Sequence, residues 1–542
     1  MSLASLQKVG AKVGDIAIFV SVILSGANRQ WTRQGILRCA RDDRSRNFIV
    51  SGEENRLGLR RGAAVCHKAP APRMTALNAP ADFNWPLAYA AEALLAAHLN
   101  AFLAKNACAA RLAQRMHDET GTEFFEWTDH CLVSANHEQA FRAAGFVTEA
   151  SDAAVNQTVL AHPHALLPRV IVSLEVPTAA APLALAIRPE YLADFMARHG
   201  LTGEPAGAPD SHYRVITVSP EPGALFQAVE RLGYRGFMVI EPRRGFAGAV
   251  AQVRALWRTR RRDWPDDDDG VRHAFEVQQK CLELVGRDVA CELFFAAERD
   301  FWMARNRAGR VQKARQDRLG LGWANHDHHT FRCSRRHFPE LVQFMENLGL
   351  AKRERFYAGA EAGWGAQVME APAVGIVVFA DVDLQPEEVD GDYAAKRLPE
   401  VPFVRTVGLW CGLHGDSFLQ AGMHHLEARF NHPLLREQLA AEGIATMKPF
   451  SDFPFLKQAF TEGERWPVNP ARVERLRKKG LITDEQAQGF IKDGAIGSHL
   501  ENLERKGGFK GFNQKAVSAI IATTDPRAVQ AAAHGATLDR ID

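Results

Sequence analysis

The chain has no C-x-x-C pair. Its eight cysteines stand apart, at positions 39, 66, 108, 131, 281, 291, 333 and 411. This spacing argues against a zinc knuckle or a redox dithiol. Scattered thiols fit a reducing cytosol better than a disulfide scaffold. An excess of charge of one sign is also missing. A formal net charge of +2 gives no strong pull toward nucleic acid or an anionic membrane surface. A bilayer-spanning run is lacking too: Ile16 to Leu24 is apolar but far shorter than the roughly 20 residues required. Lys8 and Lys12 precede that run and Ser25-Gly26-Ala27 follow it, so a signal peptide is the competing reading. The expectation is a cytoplasmic protein with neither nucleic acid nor membrane as a partner.

What is present is an ordinary globular composition, with 46% apolar and 24% charged residues. At 542 residues the chain is too long for one ordinary domain. Arg29 to Arg73 is arginine-rich without helical or strand periodicity, and Met74 opens a regular pattern. Residues 1–73 are therefore expected to be a disordered extension. A domain at 74–255, charged linker and helices at 256–320, and a second domain at 321–542 follow.

Pro86 to Met116 reads as one long or two short helices. A strand–helix–strands unit then begins. Glu126 to Val133 reads as a strand, Glu138 to Ala144 as a helix, and PRVIVSLEV (168–176) as a buried strand. A second copy is expected near His212, with a strand at 213–218, a helix at 224–232 and a strand at 237–240. A third starts at His326, with a helix from Pro339 to Leu348 stopped by Gly349 and a strand GIVVFADVDL at 375–384. A fourth starts at Met423, with a helix at 433–441. Glycine-rich 359–365 reads as a hairpin turn. The arginine run 258–262 and Asp266 to Asp269 read as a solvated linker, with a helix over 271–305 joining the halves.

Three segments carry the chemistry: His328-His329-Thr330-Phe331-Arg332, His425-Leu426-Glu427-Ala428-Arg429 and Glu501-Asn502-Leu503-Glu504-Arg505. Each has a potential ligand four residues before an arginine. In a strand, positions i and i+4 face one side, so each ligand and its arginine project together. Two histidines and one carboxylate are the donor set of an open non-heme iron(II) site. Arginine beside it suits an anionic substrate. If units three and four pair, both first strands and the last strand bring His328, His425 and Glu501 into one cavity. The bland alternatives are structural histidines and arginines spent on salt bridges. A one-residue register error would substitute His329 and His424.

Residues 321–527 resemble the 2-oxoadipate dioxygenase/decarboxylase (hydroxyglutarate synthase) family of the vicinal-oxygen-chelate fold. HDHHTFR (326–332), MHHLEAR (423–429) and GSHLENLER (497–505) are similar to its two histidine motifs and its glutamate motif. GFKGFN (508–513) and the stretch to Thr524 resemble the C-terminal end of 4-hydroxyphenylpyruvate dioxygenases, and FLKQAF (455–460) is similar to a pocket strand of both families. The resemblance implies an α+β fold of repeated βαβββ modules forming two half-barrel sheets, with helical additions. It implies Fe(2+) held by His328, His425 and Glu501, and Arg332 as a catalytic, substrate-carboxylate residue. Arg429 and Gln458 are further substrate-binding candidates, Gln458 also a catalytic one. The implied partners are a 2-oxo acid and O2, and the implied activity is oxidative decarboxylation with hydroxylation. Oxygen-independent metal lyases or isomerases and non-catalytic binding proteins of the same fold are the alternatives.

Glu427 departs from the family pattern, which has a small residue or threonine there. The first half departs as well, with Ser134 at the position of the arginine, and is expected to be a metal-free duplicate. Phe331, Phe455 and Phe460 are candidates either for core or for pocket wall.

Overall fold

A computed structural model describes residues 85–152 and 156–513, with Asp525 and Arg527. The expected extension at 1–73 lies outside the described residues. Helices α1 (Tyr89–Lys105) and α2 (Ala107–Thr120) are separate because Asn106 interrupts them. The Asn106 side chain accepts the Ala109 N–H at 2.9 Å and so caps α2.

The first module runs β1 (Thr128–Ser134), α3 (Glu138–Ala143), β2 (Val147–Asp152), β3 (Gln157–Ala161) and β4 (Arg169–Ser173). The last strand lies parallel to the first, giving the order β2-β3-β4-β1. Its partner runs β5 (Ala184–Ile187), α4 (Leu192–His199), β6 (Tyr213–Glu221) and β7 (Ala224–Arg231), and continues the sheet as β1-β5-β7-β6.

This corrects the sequence reading of the second copy. It starts near Ala184 rather than His212, it is one strand short, and residues 224–231 form a strand instead of a helix. Ala224–Arg231 lies between β5 and β6 and is buried on both faces. Strand pairing on both sides overrides its helix-forming composition. Residues 237–240 belong to no strand.

Helices α5 (Phe246–Thr259), α6 (Asp267–Val285), α7 (Arg287–Met303) and α8 (Arg307–Asp317) come between the sheets. The arginine run before α6 is only partly solvated, with Arg258 and Arg261 exposed and Arg260 and Arg262 turned inward. Arg260 is buried and donates to Glu298 Oε1 at 2.8 Å and to the Phe418 carbonyl at 2.7 Å, and Arg262 reaches the same carboxylate at 2.5 Å. Burial would raise the Glu298 carboxyl, but the two guanidiniums outweigh it and hold it below its usual range. Asp266 caps α6 through the Asp268 N–H.

The second sheet contains two complete modules. One runs β8 (His326–Arg332), α9 (Phe338–Asn347), β9 (Ala351–Tyr357), β10 (Trp364–Ala371) and β11 (Ile376–Asp383). After α10 (Thr406–His414), the other runs β12 (His425–Arg429), α11 (His432–Ala441), β13 (Ser451–Phe453), β14 (Leu456–Phe460), β15 (Glu464–Trp466) and β16 (Ala495–Arg505). Helices α12 (Pro470–Lys478) and α13 (Asp484–Asp493) are inserted before β16. The order is β13-β14-β16-β12-β8-β11-β10-β9, with β15 paired to β16 at the side. In each module the last strand lies parallel to the first, and the two first strands meet antiparallel at the centre. These are the repeated βαβββ modules expected of the chain, curled into two half-barrel sheets. Among the described residues, no helix is long and apolar enough to cross a membrane.

His337 ties α9 to its surroundings. Its Nδ1 lies 2.9 Å from Asp416 Oδ2 and its Nε2 lies 2.8 Å from Asp268 Oδ1. Burial pushes the imidazole down, but the two carboxylates outweigh it and raise it to about 9. A raised cationic group stabilises the fold fully below its unfolded pKa of roughly 6.5, and that stability is lost as pH climbs through about 9. His337→Gln is therefore expected to flatten the loss of thermal stability between pH 7 and pH 10. An unchanged slope in a melting series would contradict it.

Candidate metal centre

The central pair of strands positions the site. Strand alternation sends His328, Thr330 and Arg332 of β8 into a cavity in the curl of the sheet, together with His425 and Glu427 of β12 and Glu501 of β16. His329 and Phe331 turn the other way, into the core beside α7, where the His329 ring lies 5.0 Å from that of Phe295. Of the two fallback residues, His329 is therefore outside the cavity. His424 borders it but is engaged with the Gly497 carbonyl at 3.0 Å.

His328, His425 and Glu501 each offer one donor atom, all within 4.8 Å of one another, and all three are buried. His425 Nε2 is 3.0 Å from Glu501 Oε2 and 2.7 Å from Thr330 Oγ1. Two ligands at right angles on one ion with bonds of about 2.1 Å stand about 3 Å apart, so the His425–Glu501 spacing suits a shared cation. Burial pushes both imidazoles down; for His425, burial and then Arg332 bring it to about 3. Neutral imidazole is the form that binds metal. Burial raises the Glu501 carboxyl to about 7, against the pull of His328, Glu427 and Gln458.

Glu427 has a central place. Register sets it across from His328 on one side and Glu501 on the other. Its Oε2 lies 2.8 Å from His328 Nδ1, and Asp327 Oδ1 is 3.6 Å from the same nitrogen. Burial, then the charges of Glu501 and Asp327, pushes the Glu427 carboxyl well up. A carboxyl group this close to a ligating imidazole can orient the ring and tune its basicity, although in this geometry neither His328 Nδ1 nor the Glu427 oxygens complete a hydrogen bond among the described residues. Glu427→Ala is accordingly expected to weaken divalent-metal binding by roughly ten- to a hundredfold, measured by competition with a chromophoric chelator. Unaltered affinity would count against this role.

Arg332 opens on the same cavity. Asp381 Oδ2 is 4.0 Å from its Nε, which has no hydrogen-bond partner among the described residues. Burial raises the Asp381 carboxyl to about 8 although Arg332 pulls it down. The raised Asp381 carboxyl is thereby a weakened counter-charge for the guanidinium. Gln458 also borders the cavity, but its amide donates to Glu501 Oε1 at 3.1 Å. Its first role is to hold that carboxylate, and its own Oε1 is without a hydrogen-bond partner among the described residues.

Arg429 is a correction. The register of β12 against β8 shifts between Glu427 and Ala428, and the strand end turns away from the cavity. The Arg429 side chain lies 3.4 Å from Glu126, in a different cavity. Arg505 is likewise spent: it donates to both Asp327 oxygens, at 2.9 and 3.1 Å.

The cavity measures about 70 Å³, and six aromatic side chains wall it: Phe356, Trp364, Phe379, Phe450, Phe460 and Phe512. Only Phe460 of the three candidates from the sequence is among them. Phe331 is in the core and Phe455 packs against Phe509. Asp381 was not singled out from the sequence; its signal was a carboxylate inside an otherwise apolar strand, GIVVFADVDL. In the first half, His130 Nδ1 is bound to Asp129 at 2.7 Å, and Arg231 grips the same carboxylate.

No family profile and no curated protein matches this chain. Among solved structures, a glyoxalase superfamily protein from Ralstonia eutropha JMP134 is 12% identical, covering 48% of this chain and 96% of its own, at a TM-score of 0.28. A variant of 4-hydroxymandelate synthase from Streptomyces coelicolor is 13% identical, covering 75% of this chain and 98% of its own, at a TM-score of 0.23. A Mn(II)-bound glyoxalase from Novosphingobium aromaticivorans is 9% identical over 70% of this chain and 82% of its own, at 0.17. The assignment of the fold stands on strand order and register rather than on these likenesses.

Proposed function

We propose that this chain is a non-heme iron(II) dioxygenase that oxidatively decarboxylates a small 2-oxo acid and hydroxylates its carbon chain. The observation that carries the reading is the convergence of His328, His425 and Glu501 on one buried point beside Arg332, whose Nε has no hydrogen-bond partner among the described residues. Two imidazoles and one carboxylate would hold the metal and leave positions for substrate and oxygen. When bound, the metal supplies Lewis acidity and oxygen activation. Arg332 would bind the substrate carboxylate and fix its orientation. Gln458 steadies Glu501, Glu427 steadies His328, and the aromatic wall keeps water out. The net change is a 2-oxo acid and O2 to carbon dioxide and a 2-hydroxy acid one carbon shorter, of the type 2-oxoadipate to 2-hydroxyglutarate.

Glu427 favours a second reading. A carboxylate added beside the three donors shifts the set toward harder ions such as manganese, which suits an oxygen-independent lyase or isomerase. Oxygen uptake separates the two. Iron(II)-loaded protein is expected to consume oxygen and release carbon dioxide with one member of a panel containing 2-oxoadipate and 4-hydroxyphenylpyruvate. No uptake with any of them, despite tight metal binding, would overturn the dioxygenase reading in favour of the second.

A further inference from the structure

A second cavity, of about 220 Å³, lies between the first sheet and the second. Strand ends from both halves form it. Arg169 begins β4, Arg231 ends β7, His326 begins β8 and Arg429 ends β12, and Arg188 and Arg235 stand in the loops beside them. Five guanidiniums thus face a space that, among the described residues, only two carboxylates, Glu126 and Asp129, also border.

The arginines also draw on carboxylates just outside the lining, since Arg188 donates to Glu292 Oε1 at 2.8 Å and Arg235 pairs with Glu149, and five guanidiniums still outnumber the four carboxylates. Asp129 is gripped by Arg231 through both oxygens, at 2.7 and 2.8 Å, and by His130. Arg169 reaches Asp129 only at 3.9 Å and Glu149 only at 3.6 Å. Glu126 is shared with Arg429, whose Nε has no hydrogen-bond partner among the described residues. Burial itself raises the Glu126 carboxyl, against Arg429, which weakens it as a counter-charge. Burial, offset in part by Asp129, and then the neighbouring Arg231 and Arg235, lower Arg169 to about 10, the direction expected of a buried cation with other cations beside it. His326 contributes a buried Nδ1 with no hydrogen-bond partner among the described residues.

We infer that this cavity binds a small anion carrying two or more negative charges, a polycarboxylate or a phosphate compound. Planar guanidiniums are suited to carboxylate and phosphate oxygens alike, and the space holds roughly fifteen waters, enough for a ligand of metabolite size. The rings of Trp127 and Tyr234 border the same space and would cover its apolar part. The inference is independent of the metal centre, because none of its arginines enters that cavity.

The test is calorimetric titration of the full chain, at fixed ionic strength in chloride, with inorganic phosphate, pyrophosphate and citrate as separate probes. Saturable binding of at least one probe at one equivalent per chain is expected. Arg235→Gln and Arg429→Gln should each weaken that binding at least tenfold. Both residues are partly solvent-exposed and remote from the core, and melting curves with Arg235→Lys as a second variant separate lost binding from lost folding. His328→Ala should leave the anion affinity unchanged. Absence of saturable binding by every probe would overturn the inference. So would binding that the arginine variants leave intact, or binding that disappears with His328→Ala and therefore belongs to the metal cavity.

Discussion

Glu501→Ala protein, loaded with a divalent metal and desalted, is expected to retain none of it while keeping the wild-type fold. The donor set loses its only carboxylate ligand, and the spacing of 3.0 Å from His425 Nε2 is lost with it. Affinity should fall by more than the roughly hundredfold typical of residues that only support a ligand. Stability without metal should hold or rise, because the substitution removes a carboxyl group whose burial is unfavourable. The wild-type melting point should climb with added metal, as for any ligand that binds only the native state, and that of the variant should not. Metal content by elemental analysis and the two melting series decide the matter. Retention of one metal per chain in Glu501→Ala would sink the proposed donor set.

Arg505→Met is expected to have the largest effect on stability. Arg505 is buried, pairs with both oxygens of Asp327, and donates to the carbonyls of Phe509 and Gly511 at 3.2 and 2.6 Å. Burial would raise the Asp327 carboxyl; Arg505 and His328 outweigh it and hold it far below its usual range. Removing the guanidinium leaves an uncompensated buried charge, which costs about 3–5 kcal/mol. It also frees the two carbonyls that anchor the segment carrying Phe512, part of the cavity wall. Urea unfolding should show the loss, and Asp327→Asn introduced into the same chain should restore a sizeable part of it. A loss below about 1 kcal/mol would mean that water reaches the pair and screens it.

The seam that holds the candidate ligands was legible in the sequence because it depends on rules of short range. Alternation set His328 and Arg332 on one face, and the repeat of strand and helix placed His425 at the start of a module and Glu501 in its last strand. What could not be read depends on partners distant in sequence. Residues 224–231 have the composition of a helix and become a strand because β5 and β6 flank them. Arg260 and Arg262 look like a solvated run until Glu298 on α7 is brought beneath them. Arg429 follows the pattern of Arg332, yet a register shift of β12 against β8 carries it to another cavity. Glu427 was visible only as a departure, and its place between His328 and Glu501 comes from strand register.

The three candidate ligands lie on β8, β12 and β16, and β16 is the last strand among the described residues. A ribosome that has released His328 has still to make most of the final module, including Glu501. Because domains fold from the N-terminal side during synthesis at about 5–20 residues per second, the first sheet and the helices after it can be in place while the cradle is still unfinished. An ion held by His328, His425 and Glu501 would then be captured as a closing event of biogenesis and would not serve as a template for the early stages of folding.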